Sequence, residues 1–250
     1  MTSRPKARGC RAGSFQGALD TARVLSRSLG GPALTDANAS LTPANLKLDR
    51  QIPLVVVDVD EVLAMFMRGF ERFIGQHGWE LRIERFALFQ NIYRPGTDET
   101  ISMVEGRRLF DAFFALERHD IDVAPGAQAA LASLARQANI VILTNAPEAG
   151  RTPRMRWLME NAFPYEMLIG SGPKGALVAE MAALIDGPTA FVDDLLPNLD
   201  SVAVEAPEVH RFQMVADERL RLMAPTAPER HCRIDDWDEL GVAIAARLGL

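Results

Sequence analysis

The amino-acid sequence predicts an α/β protein, in which a doubly wound parallel sheet carries an inserted helical segment. The first observation is that, from residue 53 onward, short apolar runs typical of buried strands alternate with runs of helical periodicity. The second is that residues 65–122 interrupt this alternation and hold eight of the twelve phenylalanines. Alternating strands and helices form a parallel sheet with helices on both faces, so the interruption is predicted to be an insertion.

The predicted strands and helices of the sheet follow one another along the chain. Strands are predicted at residues 53–58, 139–144, 166–170, 189–194, 209–215 and 231–234, and helices at residues 126–137, 151–162, 174–185 and 235–248. The strand runs are short and apolar, whereas the helical runs place their apolar residues three and four positions apart. We therefore expect a Rossmann-like core that comprises residues 51–64 and 123–250.

The inserted segment, residues 65–122, is predicted to be a helical cap with its own small core. Its phenylalanines recur at helical spacing in two stretches, one with Phe66, Phe70 and Phe73 and the other with Phe110, Phe113 and Phe114. Ligands of open α/β sheets bind at the carboxyl ends of the strands. Because the insertion directly follows the first strand, we expect it to lie over that end as a lid.

Residues 1–50 differ from the rest of the chain in charge. They hold eight basic and three acidic side chains, although the whole chain has a net charge of −6. Apolar residues at positions 15, 19, 22, 25 and 29 have helical spacing. The simplest interpretation is a basic, poorly ordered extension or a start site assigned too early. An Arg- and Ser-rich transit peptide for an organelle is the alternative.

Composition argues against several classes of protein. A net charge of −6 disfavours nucleic-acid binding, and no apolar run approaches the roughly 18–20 residues of a membrane-spanning helix. Cys10 and Cys232 are far apart, which disfavours a zinc or disulfide framework and favours the cytoplasm. We expect a cytoplasmic protein whose partner is a small molecule, with its oligomeric state left open.

Polar side chains stand at the ends of predicted strands or at the helix starts that follow them. They are Asp58 and Asp60, Thr144 and Asn145, Lys174, and Asp193 and Asp194. The carboxyl ends of parallel strands meet at one edge of a sheet, so we expect these side chains to converge on one crevice. Lys174 is one of only three lysines among 27 basic residues, which favours a specific role for its compact charge.

Carboxylates, a hydroxyl and one lysine are suited to phosphoryl transfer through an aspartyl phosphate. Asp58 is nucleophilic as a carboxylate and needs no base to activate it. Asp60 can protonate the leaving oxygen and later deprotonate the hydrolytic water, provided that its environment lets it hold a proton. Thr144, with Asn145 beside it, can hydrogen-bond the phosphoryl oxygens, and Lys174 can neutralise the charge that develops on them.

The charges of this cluster predict a metal ion. Asp58, Asp193 and Asp194 would face a phosphate dianion with only Lys174 opposite in sign. Each like-charge contact near 4 Å costs on the order of 4 kcal/mol at an effective dielectric constant of 20. Mg²⁺ removes that cost, because it prefers carboxylate, carbonyl, water and phosphate oxygens.

Four segments that carry these residues resemble, in order, the motifs of the haloacid dehalogenase superfamily. They are VVVDVDEVL, VILTNA, GSGPKGALV and FVDDLLPN, and they lie within residues 54–198. The resemblance implies that Asp58 is the nucleophile and Asp60 the general acid/base, and that Thr144 and Lys174 bind the phosphate.

The same resemblance implies where Mg²⁺ binds. Its ligands would be Asp58, the Asp60 carbonyl and Asp194, with Asp193 behind them or acting through water. An acid at position 60 resembles the phosphatase and phosphotransferase branches rather than the dehalogenases, and the insertion resembles their helical cap.

A further likeness concerns the substrate. The stretch DVDEVLAMFMRGF, and the tail from FVDDLLPNLDSV to RIDDWDEL, are similar to magnesium-dependent 5′(3′)-deoxyribonucleotidases. This resemblance implies that Phe66, eight positions after Asp58, stacks on a nucleobase. A nucleotide is therefore one candidate substrate.

Glu61 departs from the superfamily pattern, which commonly has glycine at this position. Either the Glu61 side chain points to the surface, or it adds negative charge near the mouth of the site and disfavours acidic substrates.

The sequence thus predicts a Mg-dependent phosphatase, a hydrolase of small phosphorylated metabolites. The alternatives are a phosphotransferase or phosphomutase of the same superfamily and a non-catalytic phosphate- or metal-binding relative. The GSGPKG loop also fits a dinucleotide-binding fingerprint. Pro173 removes a backbone donor from that loop, however, and a dinucleotide site would leave Asp58, Asp60 and Thr144 without a role.

Overall fold

A computed structural model describes residues 41–250 of the chain. In this part of the chain the strands are β1 (Leu54–Val57), β2 (Glu80–Leu81), β3 (Ile92–Tyr93), β4 (Asn139–Thr144), β5 (Glu166–Ile169), β6 (Thr189–Asp193), β7 (His210–Gln213) and β8 (Cys232–Arg233). The helices are α1 (Phe66–Gln76), α2 (Met103–Phe114), α3 (Ala127–Leu134), α4 (Arg151–Glu160), α5 (Gly175–Ala182), α6 (Leu196–Glu205), α7 (Glu218–Arg221) and α8 (Trp237–Leu248). No helix within residues 41–250 combines the length and the apolar character that a membrane span requires.

Six of the strands form one parallel sheet in the order β5-β4-β1-β6-β7-β8. The chain runs outward from β1 through β4 to β5 and then crosses to β6 on the other side of β1. Val57 at the end of β1 is aligned with Ile142 of β4 and Val192 of β6. The residues that follow β1 and β6 therefore lie side by side, and the predicted doubly wound α/β fold is confirmed.

The four residues of β1 face two apolar layers in alternation. Val55 and Val57 pack into the layer that contains α3 and α8, whereas Leu54 and Val56 pack into the layer that contains α5 and α6. All four side chains are fully buried. Burial on both faces explains why this strand reads as a continuous apolar run.

Two helices after β6 were not predicted from the sequence. The inner face of α6 carries Asn198 beside Leu199 and Val202, and this buried amide weakens the apolar periodicity of the helix. Helix α7 has only four residues, too few for a periodic pattern. The predicted strands and helices all form, with ends that differ by a few residues, as at β7.

The insertion, residues 65–122, contains α1 and α2 as well as a two-stranded antiparallel sheet of β2 and β3 that was not predicted. Phenylalanine rings join the two helices. The Phe70 ring centroid lies 5.4 Å from those of Phe66 and Phe113, and Phe113 lies 5.6 Å from Phe114. The helical spacing of the phenylalanines therefore reflects a shared apolar core.

Residues 41–50 pack on the core, whereas a poorly ordered extension was predicted for residues 1–50. Leu41, Leu46 and Leu48 contact the layer of α5 and α6, and Asn139 Nδ2 donates to the Asp49 carbonyl at 2.8 Å. The predicted amphipathic helix between positions 15 and 29 lies outside the described residues. The choice between an extension and a transit peptide, like the cytoplasmic location, stays a prediction.

Candidate active site

A buried lysine joins two of the predicted carboxylates at the carboxyl edge of the sheet. Lys174 Nζ donates to Asp58 Oδ1 at 2.6 Å and to Asp193 Oδ2 at 2.7 Å. All three side chains are buried, and Lys174 is 1% exposed. Asp58 follows β1, Asp193 ends β6 and Lys174 precedes α5, so the fold brings together residues from three separate motifs.

Close packing of α5 against α6 positions this lysine. The N–H of Gly175, the first residue of α5, donates to Ser201 Oγ at 3.0 Å. A Cβ atom at Gly175 would overlap the Ser201 carbonyl oxygen, so the backbone would have to shift. Glycine after Lys174 therefore allows the helix approach that holds the lysine at the strand edge.

Both carboxylate oxygens of Asp193 are occupied by donors from the protein. Oδ1 accepts from the Leu195 N–H and from Asn198 Nδ2, each at 2.9 Å, and Oδ2 accepts from Lys174. This arrangement suits a residue that orients Lys174 better than one that binds a metal ion directly.

The ionisation of Asp58 and Lys174 is coupled to their burial. Burial raises the pKa of Asp58 to about 7, although Lys174 acts in the opposite direction. Burial also opposes the charge on Lys174, but Asp193 and Asp58 outweigh it and keep the lysine pKa above its usual range. The lysine is thus held charged between two acids.

Asp194 has the surroundings of a cation ligand. Burial raises its pKa well above the usual range, and Asp193, Asp58 and Glu61 add to the effect. Within residues 41–250, neither its carboxylate oxygens nor the Asp60 carbonyl accept a hydrogen bond. Carboxylate oxygens of Asp58, Asp193 and Asp194 lie within 4.8 Å of one another. Because both oxygens of Asp193 are already occupied, Asp58 and Asp194 supply the hard oxygen donors that fit a divalent cation such as Mg²⁺.

Asp60 is paired with an arginine that the sequence analysis did not single out. Arg154 of α4 is fully buried, and its Nη2 donates to Asp60 Oδ1 at 2.7 Å. Its Nε and Nη1 are buried and have no hydrogen-bond partner in the described part of the chain. The guanidinium carbon lies 5.1 Å from the centroid of the Phe114 ring, within cation–π range. Arg154 therefore fixes the Asp60 carboxylate and contacts the insertion.

A signal for Arg154 was present in the sequence. Arg154, Trp157 and Leu158 have the spacing of one helical face, and all three are buried in α4. A charged residue in phase with apolar residues is the feature that would have identified it.

Thr144 and Asn145 follow each other at the end of β4 but have different surroundings. Thr144 is fully buried, and its Oγ1 has no partner among the residues described. Such a hydroxyl costs free energy unless water or a ligand oxygen satisfies it. Asn145 is exposed, and its Nδ2 donates to the Gly172 carbonyl at 2.9 Å, which ties it to the loop before Lys174.

Glu61 is buried, so the expectation that it points to the surface is wrong. Its φ angle of 58° lies in the left-handed region, which favours glycine. The Glu61 carboxylate accepts the N–H of Met67 at 2.8 Å, in the first turn of α1, and the N–H of Asp217 at 3.0 Å, just before α7. Burial raises the Glu61 pKa to about 7. Glu61 thus connects the β1 loop to the insertion.

A cavity of about 290 Å³ lies between the strand edge and the insertion. Of the predicted site residues, its lining includes Asp58, Asp60, Phe66, Asn145, Lys174 and Asp194, whereas Thr144 and Asp193 are buried outside the lining. The insertion contributes what we name the apolar wall: Phe66, Met67, Phe86, Ala87, Leu88, Phe110 and Phe114.

Phe66 belongs both to the apolar wall and to the core of the insertion. Its ring stacks on Phe70 with a centroid distance of 5.4 Å and on Phe114 with a distance of 5.9 Å. Neighbouring rings of the insertion cover much of the Phe66 ring. Its stacking on a nucleobase stays a prediction.

Comparison with solved structures identifies the class of fold. A conserved haloacid dehalogenase-like protein of unknown function from Agrobacterium tumefaciens matches with a TM-score of 0.53 and 18% identity, over 77% of this chain and 97% of its own. The HAD-hydrolase YfnB from Bacillus subtilis, bound to magnesium, matches with a TM-score of 0.52 and 14% identity, over 80% of this chain and 100% of its own.

The chain therefore has the fold of the haloacid dehalogenase-like hydrolases, as its four motifs predicted. No family model and no curated protein matches the sequence. The likeness to deoxyribonucleotidases stays a prediction.

Proposed function

We propose that this protein is a Mg-dependent phosphatase that hydrolyses small phosphomonoesters through an aspartyl phosphate. The observation that carries the proposal is Lys174, buried between Asp58 and Asp193 at the edge of the central strand. A carboxylate held beside a fixed cation is the pairing that a nucleophile for a phosphate anion requires.

In the first half of the reaction, Asp58 would attack phosphorus. A bond forms between a carboxylate oxygen of Asp58 and phosphorus, and the bond from phosphorus to the alcohol oxygen breaks. Lys174 stabilises the charge on the phosphoryl oxygens. The Thr144 hydroxyl is unpartnered at the end of the neighbouring strand but lies outside the cavity lining, so its side chain would have to turn toward the cavity to donate to one of them.

Asp60 would move the protons. It gives a proton to the leaving alcohol oxygen, and in the second half it takes one from the water that attacks the aspartyl phosphate, which releases inorganic phosphate and Asp58. Because Oδ1 of Asp60 accepts from Arg154, Oδ2 is the oxygen available for these transfers. Arg154 acts as a positioning residue for this step.

Asp58, Asp194 and the Asp60 carbonyl are the groups that would hold Mg²⁺, since Asp193 already uses both of its oxygens. Bound Mg²⁺ would supply positive charge against the carboxylates and the phosphate. The presence of magnesium in the YfnB structure agrees with this assignment.

Phosphate release from p-nitrophenyl phosphate and from a panel of sugar phosphates and 5′- and 3′-deoxynucleotides tests the proposal. We expect release with Mg²⁺ and none with EDTA. An absence of release from every ester would favour the non-catalytic alternative. Transfer of the phosphoryl group to a second metabolite rather than to water would favour a phosphotransferase or phosphomutase.

A further inference from the structure

The two sides of the cavity differ sharply in chemistry. Every polar side chain of the lining comes from the core: four carboxylates, two amides and one lysine. All seven residues of the apolar wall come from the insertion, and four of them are phenylalanines. The insertion therefore offers a bound molecule apolar surface and no side-chain hydrogen bond.

Each side-chain donor on the polar side already makes at least one hydrogen bond within the protein. Lys174 is held by Asp58 and Asp193, Asn198 Nδ2 donates to Asp193, and Asn145 Nδ2 donates to the Gly172 carbonyl. Apart from the groups that would meet the phosphate, only the second N–H of Asn145 Nδ2 and of Asn198 Nδ2 remains among the side-chain donors of the described lining for hydroxyls on the rest of a substrate.

The charge of the lining disfavours a second anionic group. Within the described residues, Lys174 is the only basic side chain of the lining, against Asp58, Asp60, Glu61 and Asp194. A second phosphate or a carboxylate on the substrate would lie against acidic or apolar side chains and would lose its hydration without compensation.

We infer that the substrate is a phosphomonoester of an apolar alcohol, with an alkyl or aryl group and no second anionic group. This inference rests on the proposed phosphatase function. The phosphate would lie at Asp58 and Lys174, and the apolar group would lie against the apolar wall, where its removal from water stabilises the complex. A sugar would bury its hydroxyls against phenylalanine and leucine, where they have no partner.

Nucleotides are disfavoured for a related reason. A nucleobase has an aromatic face that Phe66 accommodates, but the apolar wall provides no side-chain partner for the polar edges of the base.

The test compares primary alkyl phosphates, since their leaving groups have similar reactivity. The compounds are n-hexyl phosphate, 2-phenylethyl phosphate, glycerol 1-phosphate, glucose 6-phosphate, hexane-1,6-diyl bisphosphate and deoxyadenosine 5′-monophosphate. We expect kcat/KM for the first two to exceed that for the other four by about tenfold or more. The bisphosphate is the sharpest control, because it differs from n-hexyl phosphate only in its second anionic group.

A variant of the apolar wall tests the contact itself. Leu88 is half-buried, so Leu88→Asn leaves the core of the insertion in place. We expect it to raise KM for n-hexyl phosphate by about tenfold and to lower KM for glycerol 1-phosphate, because the introduced amide offers its hydroxyls a partner. Val104→Asn is the matched control, because Val104 is 83% exposed on α2 and lies outside the lining. It should change neither value.

Failure of the inference can be distinguished from failure of the proposed function. If a sugar phosphate, the bisphosphate or the nucleotide is hydrolysed as well as n-hexyl phosphate, the substrate class is wrong while the phosphatase stands. If Leu88→Asn changed KM equally for all the esters, the inferred substrate class would also be wrong.

If no ester is hydrolysed, the proposed phosphatase function is wrong. Isothermal titration calorimetry with phosphonates then measures whether the cavity binds an apolar ligand. Tighter binding of n-hexylphosphonate than of 2,3-dihydroxypropylphosphonate, in Mg²⁺, would support an apolar ligand. Equal binding, or no binding of either, would overturn the inference.

Discussion

The polar and apolar sides of one cavity are stabilised in opposite ways. The polar edge is defined as Asp58, Lys174, Asp193 and Asp194, and charged contacts of 2.6 and 2.7 Å join its buried lysine to Asp58 and Asp193. Within the apolar wall, phenylalanine rings pack with centroid distances between 4.7 and 6.1 Å. Buried charge is costly unless each group keeps its partner, whereas packed rings contribute many small and interchangeable contacts.

If the proposed function holds, each side of the cavity should control a different property. A substitution that removes one charged group from the polar edge leaves another buried charge without its partner. Such a substitution should therefore alter turnover or stability strongly. A change in the apolar wall should alter the choice of substrate first. Glu61 and Arg154 join the two sides, through the Met67 N–H and the Phe114 ring respectively.

Of the changes considered at the two sides of the cavity, Asp58→Asn should have the largest effect, which is on kcat. It removes the charge of the proposed nucleophile but keeps the size of the side chain, so we expect kcat to fall by about 10³-fold or more. The fold should remain, because the variant buries one charge fewer at the polar edge. The measurements are phosphate release in Mg²⁺ and thermal melting by circular dichroism. Activity close to that of the wild type would exclude the aspartyl-phosphate mechanism.

Lys174→Met should be the most destabilising change at the polar edge. It leaves Asp58 and Asp193 buried without their counter-charge, which costs on the order of 3–5 kcal/mol. Urea unfolding without Mg²⁺ measures this cost. Lys47→Met is the control, because Lys47 is exposed.

The double variant of Asp58→Asn with Lys174→Met sharpens this prediction. It removes one of the two buried carboxylates that Lys174→Met leaves without a counter-charge, so it should be more stable than Lys174→Met alone. If Lys174→Met were as stable as Lys47→Met, the polar edge would not depend on the buried pair.

Arg154→Lys tests the link between the two sides. Lysine keeps the positive charge but lacks the planar group that holds Asp60 and covers Phe114, so Asp60 should be misplaced. We expect kcat to fall by about 10- to 100-fold with little change in KM. Arg156→Lys, on the exposed side of the same helix, should leave both unchanged. A loss of stability with kcat preserved would show that Arg154 only supports the fold.

The pH dependence of stability should show the smallest effect. Because the folded-state pKa of Glu61 is about 7 against an ordinary value of 4.5, the folded protein retains a proton that the unfolded chain releases between these values. The contribution of Glu61 to stability is therefore lost as pH rises through this window. The loss is on the order of 1–3 kcal/mol.

The measurement is urea unfolding in EDTA at pH 5, 6, 7 and 8, for the wild type and Glu61→Gln. The wild type should lose stability relative to the variant as pH rises. Burial lowers the His119 pKa to about 4, so the contribution of His119 makes stability rise with pH. Both proteins contain His119, and its contribution therefore cancels when the two are compared. Glu117→Gln, at an exposed position, should differ from the wild type in free energy of unfolding by the same amount at every pH. If the difference between Glu61→Gln and the wild type also did not change with pH, burial would not raise the Glu61 pKa.

Much of the fold and part of the site were predictable because their signals are local. A buried strand such as β1 needs a continuous apolar run, and a helix such as α3 needs apolar residues three and four positions apart. Asp58, Lys174 and Asp194 were predictable as a cluster because each directly follows a strand or precedes a helix, and strand ends converge in a parallel sheet.

Other features depend on contacts between distant parts of the chain. Helix α6 was missed because its inner face carries Asn198, whose amide is satisfied by Asp193 from β6. The pairing of Arg154 with Asp60 joins residues 94 positions apart, and no periodic pattern reports it.

The sequence alone therefore determined the order of strands and helices and the chemistry at the strand ends, since each depends on near neighbours in the chain. Only the tertiary structure decided that Glu61 is buried against Met67 and Asp217, that Arg154 holds Asp60, and that the insertion faces the acids with apolar side chains alone. The physical reason is that the burial and pairing of a side chain depend on which distant segments pack around it.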